Sequence, residues 1–291
     1  MKLTRLFAND KFSLSFEVFP PKTDTAFDSV KHATEEIAAL RPAFMSVTYG
    51  AGGGTSRYTL DIAKNIKVQY GVPTLAHLTC VSSTRQTVQQ RIADIREAGI
   101  CNVMALRGDI PKGMEEADRS CWDYRYAIDL IRELKTAGDF CIGGACYPEV
   151  HPESRNQAED IRYLKEKVEA GCDFLTTQMF FDNNLLYNFL YKIRQSGIDV
   201  PVIPGIMPIT NGNQVERAIT LSGSLMPQRF KSLVDKFGDD PAAMKQAGIA
   251  YATDQIIDLY ANGITHVHVY SMNKPDVAAK ILHNLSDIIG K

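Results

Sequence analysis

The amino-acid sequence predicts an α/β fold of the (β/α)₈ or TIM-barrel type, with extra helices inserted after strand 7. Eight short apolar runs of β type alternate with segments in which apolar residues recur at helical spacing. Most helical segments stop at a glycine just before the next strand, where a residue that tolerates positive φ ends a helix at low cost. A doubly wound sheet is the alternative, but no G-x-G-x-x-G follows any predicted strand.

The predicted strands are short and end in polar or turn-forming residues. They cover residues 13–19, 44–50, 73–80, 102–108, 141–149, 174–182, 200–206 and 265–273. The seventh is the weakest, because Pro201 and Pro204 interrupt its pairing. Residues 207–262 are too long for one crossover helix, so they predict the extra helices after that strand.

The helices between the strands have sequence signals at both ends. Thr84, Asp182 and Asp240 are of the residue types that cap helix N-termini, and a proline follows Asp240. The glycines that end helices are Gly71, Gly99, Gly138, Gly171, Gly197 and Gly263. Because no shift in composition marks a boundary, we expect residues 1–291 to form a single barrel domain.

Composition and charge argue against several classes of protein. The 291 residues are 45% hydrophobic and 23% charged, with a formal net charge of −2, which is typical of a globular protein. This charge disfavours nucleic-acid and membrane-surface partners. The absence of a signal-peptide core and of any membrane-spanning run predicts a cytoplasmic location. The six cysteines form no C-x-x-C pair, which favours buried free thiols over a metal site.

Polar residues stand at the C-terminal end of nearly every predicted strand. In a (β/α)₈ barrel these ends meet on one face, where active sites form. In chain order they are Glu17, Thr48, Tyr49, His77, Arg107, Gly108, Asp109, Tyr147, Glu149, His151, Gln178, Gln214 and residues 270–274. Solvation alone could account for some of them, but so consistent a pattern favours a functional site.

Glu17 lies in the middle of the aromatic-rich run SLSFEVFPPKT. Strand alternation places it on one face with Ser13 and Ser15, opposite an apolar face that would pack under the helices. A carboxyl inside a barrel loses solvation, which raises its pKa toward the range of a general acid. Spacing alone leaves two roles open, a catalytic acid and a buried structural carboxylate.

Two further strand ends allow both a functional and a structural interpretation. Gly108 would let the backbone approach a ligand, whereas Arg107 and Asp109 could simply form a surface ion pair. Gln178 projects beside aromatic residues, and it could equally be a core amide satisfied by neighbouring strands.

His266 and His268 form an H-x-H on the last strand, which puts both imidazoles on one face. Metallohydrolase barrels combine such a pair with further ligands, for which His77 and His151 are the candidates here. No acidic partner completes the set, so core or supporting histidines are favoured and no metal is predicted.

Eight motifs along the chain resemble those of the methylenetetrahydrofolate reductase family. In order they are SFEVFPPKT, SVTYGAGG, AHLTC, ALRGD, ACYPEVHPES, TQMFFD, PGIMPI and HVYSMNK. The resemblance implies a (β/α)₈ fold with FAD, and reduction of 5,10-methylenetetrahydrofolate to 5-methyltetrahydrofolate by NAD(P)H, which feeds methionine synthesis. It also implies ping-pong kinetics and a homo-oligomer. The strand ends carry no cluster of arginines that could bind the 2′-phosphate of NADPH, which favours NADH.

The resemblance implies roles for individual residues. Glu17 falls on the family's general acid, which protonates N10 so that the imidazolidine ring opens to a 5-iminium ion. Asp109 falls on the acid beside flavin and folate, where its charge would favour the cation, and Gln178 on an amide that contacts the stacked ligand. The FAD-binding positions are Thr48, Tyr49, Ala51, His77, Arg107, Gly108, Asp109, Tyr126, Ala127, Tyr147, His151, Asp160 and Lys167. The folate-contacting positions are Asp109, Gln178, Gln214 and Lys274.

Two positions depart from the pattern of some relatives. Lys274 stands where some carry arginine, so a bidentate contact with folate would become a point charge. Ala218 stands where some carry an aromatic residue. Two alternatives come from other classes of protein: a metal-dependent barrel hydrolase that uses the four histidines, and a non-catalytic subunit that binds flavin or folate.

Overall fold

The chain folds into a ring of parallel strands surrounded by helices. The structure, a computed structural model, describes residues 1–21, 23–49, 56–110 and 122–290. Its strands are β1 (Ser13–Val18), β2 (Met45–Val47), β3 (Thr74–Thr79), β4 (Asn102–Leu106), β5 (Cys141–Cys146), β6 (Phe174–Thr177), β7 (Val202–Ile203), β8 (Gly205–Ile206) and β9 (His266–Tyr270). Each strand from β1 to β6 pairs in parallel with the next, and β9 pairs with β1 and β8. The predicted (β/α)₈ barrel is confirmed.

Helices connect the strands and cover the outside of the barrel. They are α1 (Leu3–Phe7), α2 (Phe27–Ala39), α3 (Ser56–Tyr70), α4 (Arg85–Glu97), α5 (Ala127–Ala137), α6 (Gln157–Glu169), α7 (Asn183–Gln195), α8 (Asn213–Ser222), α9 (Gln228–Phe237), α10 (Pro241–Ala261), α11 (Pro275–Asn284) and α12 (Ser286–Ile289). Helices α8 to α10 are the insertion predicted after strand 7. No helix in the described ranges is long and apolar enough to cross a membrane.

The ring closes at the seventh strand position, which Pro204 divides into β7 and β8. Strand β7 pairs with β6 and β8 pairs with β9, so residues 202–206 join the two edges of the sheet. The Pro204 carbonyl still accepts a hydrogen bond from the His268 N–H at 2.9 Å, although its ring nitrogen has no hydrogen to donate. The predicted weakness of this strand is thus confirmed.

The two faces of β1 have the environments that alternation predicts. Its apolar face belongs to the main core between the strands and the helices. The Ser13 and Ser15 hydroxyls point into the barrel, where they hydrogen-bond to Nδ1 of His266 and His268, each at 2.7 Å. The side chain of Glu17 therefore also faces inward.

A second core closes the N-terminal end of the barrel. Helix α1 inserts Leu3 and Phe7 among the inward-facing residues at the starts of the strands. The ring centroid of Phe7 lies 5.0 Å from that of Phe174 and 5.3 Å from that of His266. This plug leaves the C-terminal end of the barrel as the end at which a ligand could enter.

The helix caps confirm the sequence signals. The Thr84 hydroxyl accepts a hydrogen bond from the Thr87 N–H at 3.2 Å, and the Asp182 and Asp240 carboxylates also accept bonds from backbone N–H groups of the helices that follow them. Some predicted strands extend beyond the observed ones at their C-terminal ends. Strand β5 ends at Cys146 instead of the predicted residue 149, and β6 ends at Thr177 instead of the predicted residue 182. There the polar residues leave the hydrogen-bonded ladder and turn toward the barrel mouth.

Candidate active site

A cavity of about 1170 Å³ occupies the C-terminal end of the barrel. Its volume exceeds the range usual for a single small-molecule ligand, roughly 300–1,000 Å³. The predicted site residues that line it are Glu17, Thr48, Tyr49, His77, Arg107, Gly108, Asp109, Tyr126, Ala127, Tyr147, His151, Asp160, Lys167, Gln178 and Gln214. Ala51 lies outside the described residues. Lys274 is not part of the cavity wall, and its ammonium group donates to the Thr210 hydroxyl at 2.6 Å.

Glu17 occupies the inner wall of the cavity, and its side chain is 20% exposed. The register of the sheet places it beside Ser46 of β2 and Tyr270 of β9. The Ser46 hydroxyl lies 3.3 Å from Glu17 Oε2. Nε2 of His77 and Nε2 of His268 lie 3.5 and 4.0 Å from the same oxygen.

The charges of this cluster follow from its burial. Desolvation raises the pKa of Glu17 to about 8, and the Ser46 hydrogen bond only partly opposes it. Desolvation lowers the pKa of His77 to about 4 and that of His268 to about 3. At pH 7 the carboxyl therefore keeps its proton and both imidazoles are neutral, so these close contacts are not ion pairs. The cluster holds an acid in its protonated form.

A chain of hydrogen bonds supports Glu17 from within the barrel. Ser46 Oγ lies 2.9 Å from His268 Nε2, and His268 Nδ1 lies 2.7 Å from Ser15 Oγ. The ring of Phe44 stacks on His268 with centroids 5.3 Å apart. Sequence reasoning places His268 among the core or supporting histidines, but it does not single out Ser46. The signal for Ser46 is its position directly across the sheet from Glu17.

The histidines do not converge on one point. His77 and His268 flank Glu17, His266 lies in the core at the other end of the barrel, and His151 belongs to the loop after β5. Within the ranges that the structure describes, no group of three or more His, Cys, Asp or Glu side chains is arranged to hold a metal ion.

A second stretch of the cavity wall carries two cationic side chains. Arg107 follows β4 and forms an ion pair with Glu153, with 2.6 Å between Nη1 and Oε2. Lys167, near the end of α6, donates from Nζ to the Ala145 carbonyl at 2.7 Å, and burial lowers its pKa. Two cations on one wall suit an anionic ligand such as a diphosphate.

Gly108 brings the backbone of the β4 loop against the neighbouring strand. Its φ is 91°, and a Cβ at this position would come 2.9 Å from the Thr79 Cβ. Strand β4 ends at Leu106, so Arg107, Gly108 and Asp109 lie in the loop beyond the hydrogen-bonded ladder. Asp109 is exposed at the cavity mouth.

Tyr147 links two of the predicted catalytic residues. Desolvation raises the pKa of its phenol, the nearby Asp109 carboxylate adds to this rise, and a hydrogen bond with the Gln178 side chain opposes it. The ring also contacts His151 edge to face, with centroids 4.6 Å apart. Asp109, Tyr147 and Gln178 therefore share one part of the cavity wall.

The insertion after strand 7 contributes helix α8 to the cavity. Gln214 and Ala218 line the wall from this helix. Gln214 Oε1 is buried, and no described residue gives it a hydrogen bond. This oxygen is available to a donor group on a ligand.

Comparison with known proteins identifies the family. Residues 2–286 match the family described as Methylenetetrahydrofolate reductase. The 5,10-methylenetetrahydrofolate reductase of Pectobacterium carotovorum is 35% identical over 275 residues, which cover 94% of this chain and 90% of that protein. The chain belongs to the methylenetetrahydrofolate reductase family. The resemblance carried by the sequence motifs is thereby confirmed.

Two further comparisons with this methylenetetrahydrofolate reductase family member, one in sequence and one in structure, extend this result. Methylenetetrahydrofolate reductase (NADH) 1 of Arabidopsis thaliana is 35% identical over 284 residues, covering 94% of this chain but 48% of that longer protein. A solved structure from Clostridium thermocellum, described as an uncharacterized protein that binds two copies of 5-methyl-5,6,7,8-tetrahydrofolic acid, superimposes with a TM-score of 0.69. It is 13% identical and covers 98% of this chain and 99% of its own, so it supports the barrel fold alone.

Proposed function

We propose that this protein reduces 5,10-methylenetetrahydrofolate to 5-methyltetrahydrofolate, with NAD(P)H as reductant and FAD as bound cofactor. Relatives that match most of the chain carry the name of this activity. The main observation that supports the proposal is the position of Glu17 in the wall of a large cavity. Its raised pKa of about 8 keeps a proton available there at neutral pH. The names of the plant relatives include NADH, which supports a preference for NADH.

The cavity wall offers suitable groups for a flavin dinucleotide. Arg107 and Lys167 would hold its diphosphate, and Gly108 would let the backbone approach it. His77 Nε2 is buried and lacks a hydrogen-bond partner among the described residues, so it is available to the polar edge of the ring system. When bound, FAD would supply the hydride-transfer chemistry that amino-acid side chains lack. The further residues of the proposed FAD site are Thr48, Tyr49, Ala51, Asp109, Tyr126, Ala127, Tyr147, His151 and Asp160.

Glu17 is the proposed general acid. Opening the imidazolidine ring of the folate requires a proton at N10, and a carboxyl with a pKa of about 8 carries that proton at pH 7. The proton passes from the carboxyl to N10, the bond between N10 and the methylene carbon breaks, and its electron pair stays on N10. The Ser46 hydroxyl, 3.3 Å from Oε2, can then donate to the carboxylate that remains.

Other wall residues would bind and stabilise the folate. Asp109 places a negative charge at the cavity mouth, where it would favour the iminium cation left after ring opening. Gln178 and Gln214 offer amides for the polar edge of the pterin, and Lys274 would contact the folate beyond the cavity wall. We expect ping-pong kinetics, because one cavity would serve the two substrates in turn.

Separate measurement of the two half-reactions tests the proposal. In Glu17→Gln the reduction of bound flavin by NADH should be nearly unchanged, whereas oxidation by 5,10-methylenetetrahydrofolate should fall at least ~100-fold. The matched control is Glu35→Gln, because Glu35 is a half-buried carboxylate outside the cavity that accepts a hydrogen bond from Asn65 at 3.0 Å. This control should behave as the parent protein does in both half-reactions.

Three results would contradict the proposal in different ways. An equal loss of both half-reactions in Glu17→Gln would make Glu17 a structural residue. A purified protein that binds flavin but is bleached by neither NADH nor NADPH would indicate a non-catalytic subunit. A colourless protein with stoichiometric bound metal would favour the hydrolase alternative.

A further inference from the structure

The turn after β9 has an unusual backbone. Met272 and Asn273 are consecutive, and their φ angles are 53° and 52°. The left-handed region is unfavourable for residues other than glycine, although asparagine tolerates it better than most. Such a conformation persists only where surrounding contacts impose it. The turn adjoins the cavity, which Met272 lines.

The side chain of Asn273 holds the end of β1. Its Oδ1 accepts a hydrogen bond from the Phe19 N–H, and its Nδ2 donates to the Phe19 carbonyl, both at 2.9 Å. The backbone register between β1 and β9 ends at the pair of Glu17 and Tyr270. The amide therefore satisfies both backbone groups of a residue that the neighbouring strand no longer reaches.

A second contact from the same turn fixes the backbone of Glu17 itself. The buried Ser271 hydroxyl donates to the Glu17 carbonyl at 2.6 Å. Glu17, near the end of β1, and Phe19, just after the strand ends at Val18, both line the cavity. The turn therefore determines where the carboxyl and the adjacent aromatic ring lie in the cavity wall.

We propose that Asn273 is a positioning residue for the acid step, whose double hydrogen bond to the Phe19 backbone holds the Glu17 carboxyl and the Phe19 ring in place against the folate. Asn273 is not part of the cavity wall, so it acts through β1 and not by contact with the ligand. This inference rests on the proposed function, because it assigns Asn273 to the protonation of the folate. The left-handed turn is then the backbone conformation that aims the amide at Phe19.

Two substitutions separate the hydrogen bonds from the backbone conformation. Asn273→Ala removes the two hydrogen bonds and also disfavours the left-handed backbone conformation. Asn273→Gly removes the two hydrogen bonds as well, but glycine adopts this φ freely. If the hydrogen bonds matter, both variants should slow the folate half-reaction by about tenfold or more, since a displacement of about 1 Å costs up to about 100-fold. Flavin reduction by NADH should stay within about twofold, because it does not need the Glu17 proton. The control is Asn262→Ala, which removes an exposed asparagine that bonds the Asp258 carbonyl at 2.8 Å at the other end of the barrel.

The pH profile of the folate half-reaction gives a readout that a general loss of stability would not move. A carboxyl released toward water regains hydration, so the upper limb of the profile should shift to lower pH in both Asn273 variants. The groups facing Glu17 are Ser46 of β2, His77 of β3, and His268 and Tyr270 of β9. Burial lowers the pKa of both histidines and raises that of the tyrosine, so none of them titrates near neutral pH.

The outcomes separate this inference from the function on which it rests. If Asn273→Gly retains the parent rate and pH profile while Asn273→Ala loses them, the turn conformation alone matters and the positioning role is wrong. Equal loss of both half-reactions in the two variants would also overturn it. If the parent protein fails to reduce the folate at all, the proposed function fails, and the positioning role fails with it. Bound flavin and the thermal unfolding midpoint report whether each variant folds.

Discussion

Glu17 should make the protein less stable as the pH rises, and Glu17→Gln should relieve that loss. The carboxyl has its ordinary pKa of 4.5 in the unfolded chain, whereas burial raises the pKa to about 8 in the folded protein. The folded state therefore keeps a proton that the unfolded state releases between these values. The stability contributed by the neutral carboxyl is complete below pH 4.5 and is lost as the pH rises through about 8.

The magnitude follows from the separation of the two pKa values. The difference between 4.5 and about 8 corresponds to about 5 kcal/mol of unfolding free energy at high pH. At pH 7 about 3 kcal/mol of this unfolding free energy is already lost, because pH 7 lies more than two thirds of the way from the lower pKa to the higher one. The side chain is 20% exposed, and hydration will reduce the effect. We therefore expect Glu17→Gln to be more stable than the parent by about 2 kcal/mol at pH 7.

Urea unfolding of both proteins at about pH 5, 7 and 9 measures this difference. The two proteins should have similar unfolding free energies near pH 5, and Glu17→Gln should gain progressively toward pH 9. Burial keeps His77 and His268 neutral over this range in both proteins, so their contribution cancels in the difference. A difference that is constant with pH would show that Glu17 titrates normally. It would then be ionised at neutral pH and could not supply the proton.

Three other substitutions test separate parts of the structure. Gly108→Ala should lower the unfolding free energy by about 1–3 kcal/mol and weaken flavin binding in a titration, because the φ of 91° disfavours alanine and its Cβ would lie 2.9 Å from that of Thr79. Lys274→Ala should raise KM for the folate by about tenfold in steady-state assays, while flavin reduction by NADH is unchanged. Asp240→Ala should cost about 1 kcal/mol in urea unfolding without altering activity, because two backbone N–H groups of α10 lose their acceptor. An Asp240→Ala protein with the parent stability would contradict the capping role.

The sequence predicts the barrel well because its signals are local. Strand alternation, caps such as Thr84 and Asp240, and glycines between helix and strand each depend on a few neighbouring residues. Helix α1 is not predicted from the sequence, because Leu3–Phe7 is only five residues long and is too short to show a helical periodicity of apolar residues. It forms because Leu3 and Phe7 fill the end of the barrel, which is a tertiary contact.

The sequence predicts which residues at the strand ends form the site, but it does not predict which residues contact and support them. Glu17 stands out because a carboxyl within an apolar strand is unusual. The supporting residues Ser46 and Asn273 are ordinary polar residues in the sequence. Their importance comes from contacts with Glu17 and Phe19, which lie far away along the chain. Such contacts depend on which strands pair with each other, and the paired strands of a parallel sheet are separated by long crossover segments of the chain.

The split seventh strand also serves the site. Tyr270 lies beside Glu17 in the register of the sheet, and its hydroxyl crosses the barrel to donate to the Thr177 carbonyl at 2.5 Å. A Cβ on Gly205 would overlap that hydroxyl, so the ring can occupy this place only because Gly205 has no side chain. An aromatic ring there takes up space that water would otherwise fill. Gly205 therefore contributes to the low hydration around Glu17, which raises the pKa of that carboxyl.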